Sequence, residues 1–120
     1  MKYLLGALIG ILFHSLAYAQ PANDNCGGAI ALVVETTDNC SSIAYSNVGA
    51  GADGQNPSCW GSTDDNGIWF SFTATATGSV MISTNFDFNT ITDPQIAVFS
   101  GGCGALTEIA CQEDLNTGAG

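Results

Sequence analysis

The feature that most constrains the fold is the strict alternation of side chains between Ile68 and Thr84. In the first half, residues 68–74, Phe70 and Phe72 share one face, while Trp69 and Ser71 share the other. The second half, residues 80–84, alternates in the same way after a Thr-Gly-Ser turn. Alternation with period two in aromatic and β-branched residues is typical of strands, and glycine with small polar residues is typical of turns. The pattern predicts an antiparallel hairpin that carries the core of the domain.

The other segments with this pattern are short and are separated by polar stretches. We expect further strands at residues 29–35, 42–48, 95–100 and 105–111, with long polar loops at 49–65 and 85–94 and a glycine-rich turn at 101–104. The chain after residue 19 has no helical periodicity. Many short strands with such turns predict an all-β fold, an antiparallel β-sandwich of jelly-roll-like form. Six strands make an uneven sandwich, so we expect the last strands of the domain to lie beyond residue 120.

The N-terminal segment predicts export. A positive charge at Lys2, an apolar run from Leu4 to Leu16 and the small residues of Ala17-Tyr18-Ala19 are typical of a signal peptide. The run is shorter than the roughly 20 residues of a membrane-spanning helix. We therefore interpret residues 1–19 as a signal peptide and residues 20–120 as one β-sandwich domain, secreted or at the cell surface, with no span after cleavage.

The charge pattern excludes several functions. No Lys, Arg or His follows His14, whereas all 11 acidic residues lie after it. Nucleic acids bind through Lys and Arg, so they are not expected partners. Neither a Ser-His-Asp triad nor a zinc site with histidine ligands can form within residues 20–120. A pair of carboxylates that hydrolyses glycosides remains open, but the composition favours a domain without catalytic activity.

Five cysteines in an exported chain predict a disulfide framework. Spacing favours two local bridges, Cys40 with Cys59 and Cys103 with Cys111, and leaves Cys26 unpaired within this chain. Five cysteines allow fifteen ways to form two bridges, so the pairing stays a preference.

Acidic loops supply the oxygen ligands that Ca²⁺ prefers, although no EF-hand spacing is present. The carboxylates at strand ends that we consider for a calcium site are Asp24, Asp87, Asp93, Glu113 and Asp114. A second set, Trp60 with Asp64 and Asp65, combines an aromatic ring with acceptors, as sugar-binding sites do. Trp69 is expected in the core rather than at a binding face. The alternative for all these carboxylates is a solvated surface.

Four segments carry a family resemblance: residues 21–26, 67–72, 91–93 and, most specifically, 96–111 with its Gly-Gly-Cys-Gly turn. In this order they resemble the β-sandwich modules of secreted Bacteroidetes-type surface proteins, similar to the pre-peptidase C-terminal domain. The resemblance implies a jelly-roll-like module beside proteases, adhesins or glycan-active enzymes, in a longer protein with a sorting domain. It also implies further strands after the acidic run at residues 113–114.

Together the sequence predicts a secreted, non-catalytic binding or accessory module whose partner is a glycan or another cell-surface polymer. Ca²⁺ is the one expected cofactor. Two alternatives stay open: that the chain is an N-terminal accessory part of a secreted protease or glycosidase, and that it is a structural spacer of an adhesin.

Overall fold

The computed structural model describes residues 19–36, 43–61, 66–74, 78–84 and 94–113. Within these ranges the regular elements are a 3-10 turn at Cys26–Gly28 and four strands, β1 (Ile30–Ala31), β2 (Phe70–Ser71), β3 (Ile96–Ser100) and β4 (Thr107–Gln112). No α-helix occurs in the described ranges, in agreement with the all-β class. Of the described part of the chain, no helix is long and apolar enough to cross a membrane.

The β3–β4 hairpin confirms the sequence-based prediction for residues 95–111. β3 consists mainly of apolar residues, and it pairs antiparallel with β4 from Ile96–Gln112 to Ser100–Thr107. The intervening turn closes with a hydrogen bond from the Ala105 N–H to the Gly102 carbonyl, at 2.8 Å. Gly101 has φ of +103°, a left-handed conformation that favours glycine. A Cβ on Gly101 would also collide with the Ala105 carbonyl oxygen.

A β-bulge interrupts this hairpin at Ile109. Val98 pairs with Ala110 and Phe99 pairs with Glu108, so Ile109 has no partner in β3. Its side chain is 65 % exposed. Glu108 and Cys111 are three positions apart and would point to opposite faces of an unbroken strand. The extra residue brings both onto the face that also carries Phe99.

Both faces of the hairpin are covered. The Trp69 ring lies over the Phe99 face, with ring centroids 5.8 Å apart. On the opposite face Val80 and Ile82 line, with Ile96 and Val98, a pocket of about 330 Å³.

The predicted hairpin of residues 68–84 is not what the structure shows. β2 pairs instead with β1, in parallel, through Ile30–Phe70 and Ala31–Ser71. The Leu32 N–H continues this ladder to the Ser71 carbonyl at 2.8 Å. Residues 78–84 form no strand, and the described part of residues 42–48 is also irregular, although Tyr45 packs edge-on against Phe70 at 4.9 Å. Parallel pairing needs a partner far along the chain, which local alternation does not reveal.

The disulfides correct the predicted pairing. Cys26 bonds to Cys103 and Cys59 bonds to Cys111, with Cα atoms 5.6 and 5.8 Å apart. Cys26 is therefore not unpaired, and the pairs Cys40–Cys59 and Cys103–Cys111 are wrong, since a sulfur forms only one such bond. The physical reason is tertiary: the sheets bring together cysteines that are 77 and 52 residues apart. Cys40 lies outside the described residues.

Candidate functional site

The candidate site is a long polar loop that four contacts hold in place. We call residues 49–61 the pinned loop. At its start, the Gly51 N–H donates to Asp24 Oδ1 at 2.6 Å. Asp24 is 6 % exposed, and its other oxygen accepts from the Asn25 amide at 3.3 Å. The buried carboxylate thus ties the N-terminal lead-in to the loop.

The middle of the pinned loop is held by Asp53. This carboxylate accepts a hydrogen bond from the indole N–H of Trp69 through Oδ2 and one from the Gln55 N–H through Oδ1, the latter at 2.9 Å. The backbone of Trp69 is fixed in turn, because its N–H donates to the Asn23 carbonyl at 2.7 Å and its carbonyl accepts from the Ile30 N–H at 3.1 Å. The sequence predicts Trp69 in the core, whereas the structure places it half-buried, with its ring against Phe99.

The end of the pinned loop is fastened to β4. Both the N–H and the hydroxyl of Ser58 donate to the Glu108 carboxylate, the N–H at 2.8 Å. These bonds, first that of the hydroxyl and then that of the N–H, lower the pKa of Glu108 below its ordinary value. The next residue, Cys59, is bonded to Cys111. The bulge in β4 makes this double attachment geometrically feasible, since it aligns Glu108 and Cys111.

Trp60 follows directly in this loop. Its N–H closes a turn with the Pro57 carbonyl at 3.1 Å. The residue is half-buried, and its indole nitrogen is enclosed, with no acceptor in hydrogen-bonding range among the residues that the structure describes. Because the N–H is enclosed, an incoming ligand would meet the ring carbons of Trp60 rather than its donor. The exposed Asn56 and the half-buried Gln55 lie in the same loop.

The structure brings together only part of the predicted site. Glu113 lies near Gly61, the residue after Trp60, as a Cβ on Gly61 would stand 4.0 Å from Glu113 Oε1. Asp24 is at the other end of the pinned loop and is engaged in hydrogen bonds. The remaining candidates, Asp64, Asp65, Asp87, Asp93 and Asp114, lie outside the described residues. Within the described ranges, no three His, Cys, Asp or Glu side chains form a group that could hold a metal ion.

Two carboxylates that hold the pinned loop, Asp53 and Glu108, could not be identified from the sequence alone. The pattern places Asp53 only within a polar loop and Glu108 only within a strand. For Glu108 the sequence gives no signal, because a carboxylate in a half-exposed strand can simply be solvated. The donor itself, Ser58, is 50 residues away, and so local reasoning could not identify it.

Comparison with known proteins gives one match. Residues 22–119 match a family model described as galactose-binding-domain-like and associated with the type IX secretion system of Bacteroidetes. No curated protein and no solved structure matches the chain. The match agrees with the expected β-sandwich module of a secreted or cell-surface protein. The chain belongs to the galactose-binding-domain-like family associated with type IX secretion.

Proposed function

We propose that this module binds a glycan through the pinned loop and has no catalytic activity of its own. It acts as an accessory unit of a larger exported protein, whose other domains it holds at a glycan-covered surface. The observation that carries the proposal is the fastening of residues 49–61 at Gly51, Asp53, Ser58 and Cys59.

Fastening favours binding because a loop already ordered loses less conformational entropy when a ligand arrives. Polar loops of this length in small domains are usually either functional or disordered. This loop is held by a disulfide and by two carboxylates from outside it, Asp24 and Glu108, which accept hydrogen bonds from the loop's own donors. Such attachments support a role that requires a fixed shape.

The chemistry of the loop suits a neutral, hydroxyl-rich ligand. Asn56 and Gln55 offer amide donors and acceptors, and the ring carbons of Trp60 offer an apolar surface. The acidic surface disfavours anionic ligands, because no basic side chain follows residue 14. The same lack of His, Lys and Arg supports the non-catalytic role.

The test is isothermal titration of the oxidised protein, first with galactose and then with galactose-containing polysaccharides. The Trp60→Ala variant should lose binding by about 30-fold, the effect of a buried aromatic anchor worth about 2 kcal/mol. The Trp60→Phe variant keeps a six-membered aromatic ring but loses the five-membered ring with the enclosed N–H, so it should bind more tightly than Trp60→Ala and less tightly than the wild type. Val33→Ala is the matched control, since Val33 is 82 % exposed and lies outside the loop.

Two results would reject this function. One is equal affinity in the Trp60→Ala and Val33→Ala variants, which would place the ligand elsewhere. The other is the absence of binding to every glycan on a broad array by protein with both disulfides formed. Hydrolysis of a glycan by the wild type, lost on mutation of its carboxylates, would overturn the non-catalytic part alone.

Calcium is proposed as a stabiliser of the acidic loops, with Asp87, Asp93, Glu113 and Asp114 as the candidate ligands, since the oxygens of Asp24 are engaged by the Gly51 N–H and the Asn25 amide. Carboxylate-rich loops without basic neighbours are suited to this ion. A ligand that binds only the folded state raises the melting temperature. Melting in excess EDTA and at millimolar Ca²⁺ should therefore differ by several degrees, and equal midpoints would reject the calcium proposal without affecting the glycan proposal.

A further inference from the structure

The first residues after the predicted signal peptide belong to the fold. Ala19 and Gln20 are both exposed, so the peptide bond between them lies at the surface. Burial begins shortly afterwards, since Asn23 is 4 % exposed and Asp24 is 6 % exposed. The Asn23 side-chain amide also donates to the Trp69 carbonyl at 3.0 Å. A chain that is cleaved before Gln20 therefore begins with a short exposed end on a fixed base.

The side chain of Gln20 reaches the start of the pinned loop. A Cβ on Gly51 would stand 3.3 Å from Gln20 Nε2. The Gln20 amide thus lies against the residue whose N–H donates to Asp24 Oδ1 at 2.6 Å. The group that the cleaved chain carries at its N-terminus is within one side-chain length of the loop.

An N-terminal glutamine carries an amine and the carbonyl that the amine can attack. The α-amino nitrogen adds to Cδ of the side-chain amide and closes a five-membered lactam. One bond forms between the α-nitrogen and Cδ, and the bond between Cδ and Nε2 breaks. The leaving nitrogen takes a proton from the amine and departs as ammonia. The reaction needs no oxidant, metal or second substrate, and it is favoured because both reacting groups belong to one residue.

We propose that Gln20 is a modification site, at which the exported chain is cleaved and the new N-terminus closes to pyroglutamate. Lys2 is the only Lys or Arg and His14 is the only His, and both precede this site. The α-ammonium of Gln20 is the one remaining cation of residues 20–120, and ring closure removes it. The ring keeps an N–H donor and a carbonyl acceptor, and it offers no α-ammonium to aminopeptidases. This role goes beyond glycan binding and does not depend on it.

The lack of lysine near the new N-terminus allows a selective test. Formaldehyde with cyanoborohydride methylates the α-amino and lysine nitrogens of the native exported protein. Reduction of the disulfides and digestion after glutamate then release residues 20–35, which contain no Lys. A methyl label on this peptide therefore reports the α-amine of Gln20 alone. Labelling comes before digestion, because a methylated amine no longer closes the ring during the later steps.

The wild-type peptide of residues 20–35 should lack the label and be lighter than its sequence mass by one ammonia. Gln20→Asn is the matched control, because asparagine keeps the amide but could close only a strained four-membered ring. Pro21 has no N–H with which this asparagine could form a succinimide instead. The peptide of the variant should therefore keep its full mass and carry the label.

A labelled wild-type peptide of full mass would overturn the proposal, because the α-amine would then be free in the exported protein. A first peptide that begins before or after Gln20 would also overturn it, because the glutamine would not have become the N-terminus. Both results would leave the glycan proposal unaffected, since glycan binding is measured separately on the Trp60 variants.

Discussion

Replacing Cys26 and Cys103 together by alanine removes the bridge between the 3-10 turn and the β3–β4 hairpin. The main effect expected is on the unfolded chain, which gains freedom when a cross-link is lost. The structure determines how much freedom is gained, because the second disulfide remains and already shortens the chain between the two positions.

With Cys59–Cys111 intact, the ring closed by Cys26–Cys103 runs from residue 26 to 59, across the second bridge, and back from 111 to 103. It contains about 41 residues rather than the 77 of the direct sequence separation. The chain-entropy relation gives about 4 kcal/mol at 25 °C for a ring of this size. A domain of about 100 residues has a free energy of unfolding of roughly 5–15 kcal/mol, so the loss is a large part of the total.

Removal of Cys59–Cys111 instead opens the same ring, because the shortest closed path through either bridge runs along residues 26–59 and 103–111 and crosses both disulfides. The variant without Cys26–Cys103 keeps a ring of 52 residues, and the variant without Cys59–Cys111 keeps a ring of 77 residues. The closure of these two rings differs by only about 0.4 kcal/mol, so the two double variants should lose nearly equal stability.

Urea unfolding at pH 7, followed by the fluorescence of Trp60 and Trp69, measures the free energy of unfolding by linear extrapolation. Both variants should unfold at much lower urea than the wild type, with larger m-values because their unfolded chains expose more surface. A loss below about 1 kcal/mol in either variant would refute the reasoning about the shared ring. So would a difference of more than about 2 kcal/mol between the two variants.

Three further predictions concern the hairpin and its attachment. The pKa of Glu108 is lowered by its hydrogen bonds with Ser58, so these bonds stabilise the fold above the carboxyl's unfolded pKa of about 4.3. This stabilisation is lost as the pH falls through the lower pKa of the folded state. In acid, the Glu108→Gln variant should therefore lose stability less steeply than the wild type. Carboxyl NMR titration should find the Glu108 pKa raised part-way in Ser58→Ala, where the backbone N–H still donates, and an unchanged value would contradict this account. The Gly101→Ala variant forces alanine to a φ of +103° and should lower the free energy of unfolding by about 1–3 kcal/mol. The Gly102→Ala variant places a Cβ in open space and should lower it less. Equal losses in the two variants would contradict the argument that the backbone at Gly101 is strained for alanine. Deletion of the unpaired Ile109 preserves all five β3–β4 pairs and should be tolerated. Deletion of Ile109 together with Ala110 places Cys111 opposite Val98, on the other face of the hairpin, and should prevent formation of Cys59–Cys111, as mass spectrometry after thiol alkylation can show.

The part of the fold that the sequence predicts well is the β3–β4 hairpin. Its strands are neighbours in the chain, and its turn has glycines where the backbone needs them. Local alternation and turn chemistry are sufficient in such a case, because only a short turn separates the two paired strands. The prediction of an all-β fold rests on the same local signals and is confirmed.

What the sequence could not give are the contacts between distant segments. Phe70 has the alternation of a hairpin strand, yet its partner is Ile30 in a parallel pair. Spacing predicts Cys40 as the partner of Cys59, yet the partner is Cys111, because the bulge turns this sulfur toward the loop. Spacing along the chain carries no information about such an encounter, and the bulge has no signature in the alternation of residues 105–111.

For the candidate site, the sequence identifies the loop and Trp60 but not how the loop is fixed. Asp24, predicted as a metal ligand, uses its oxygens on the Gly51 N–H and the Asn25 amide. The sequence around a buried aspartate does not show whether its carboxylate accepts hydrogen bonds from neutral donors or binds a cation. The two cases are distinguished only by the positions of the donors in the folded structure.

The interleaved order of the cysteines also determines what a protease can achieve. A cut between residues 26 and 59 leaves the pieces joined by Cys26–Cys103, a cut between 103 and 111 leaves them joined by Cys59–Cys111, and a cut between 59 and 103 leaves both bridges in place. No single cleavage from Cys26 to Cys111 releases a fragment. Exposed loops are where proteases cut first, and an extracellular module nicked there would still travel as one band on a non-reducing gel and separate into two only after reduction.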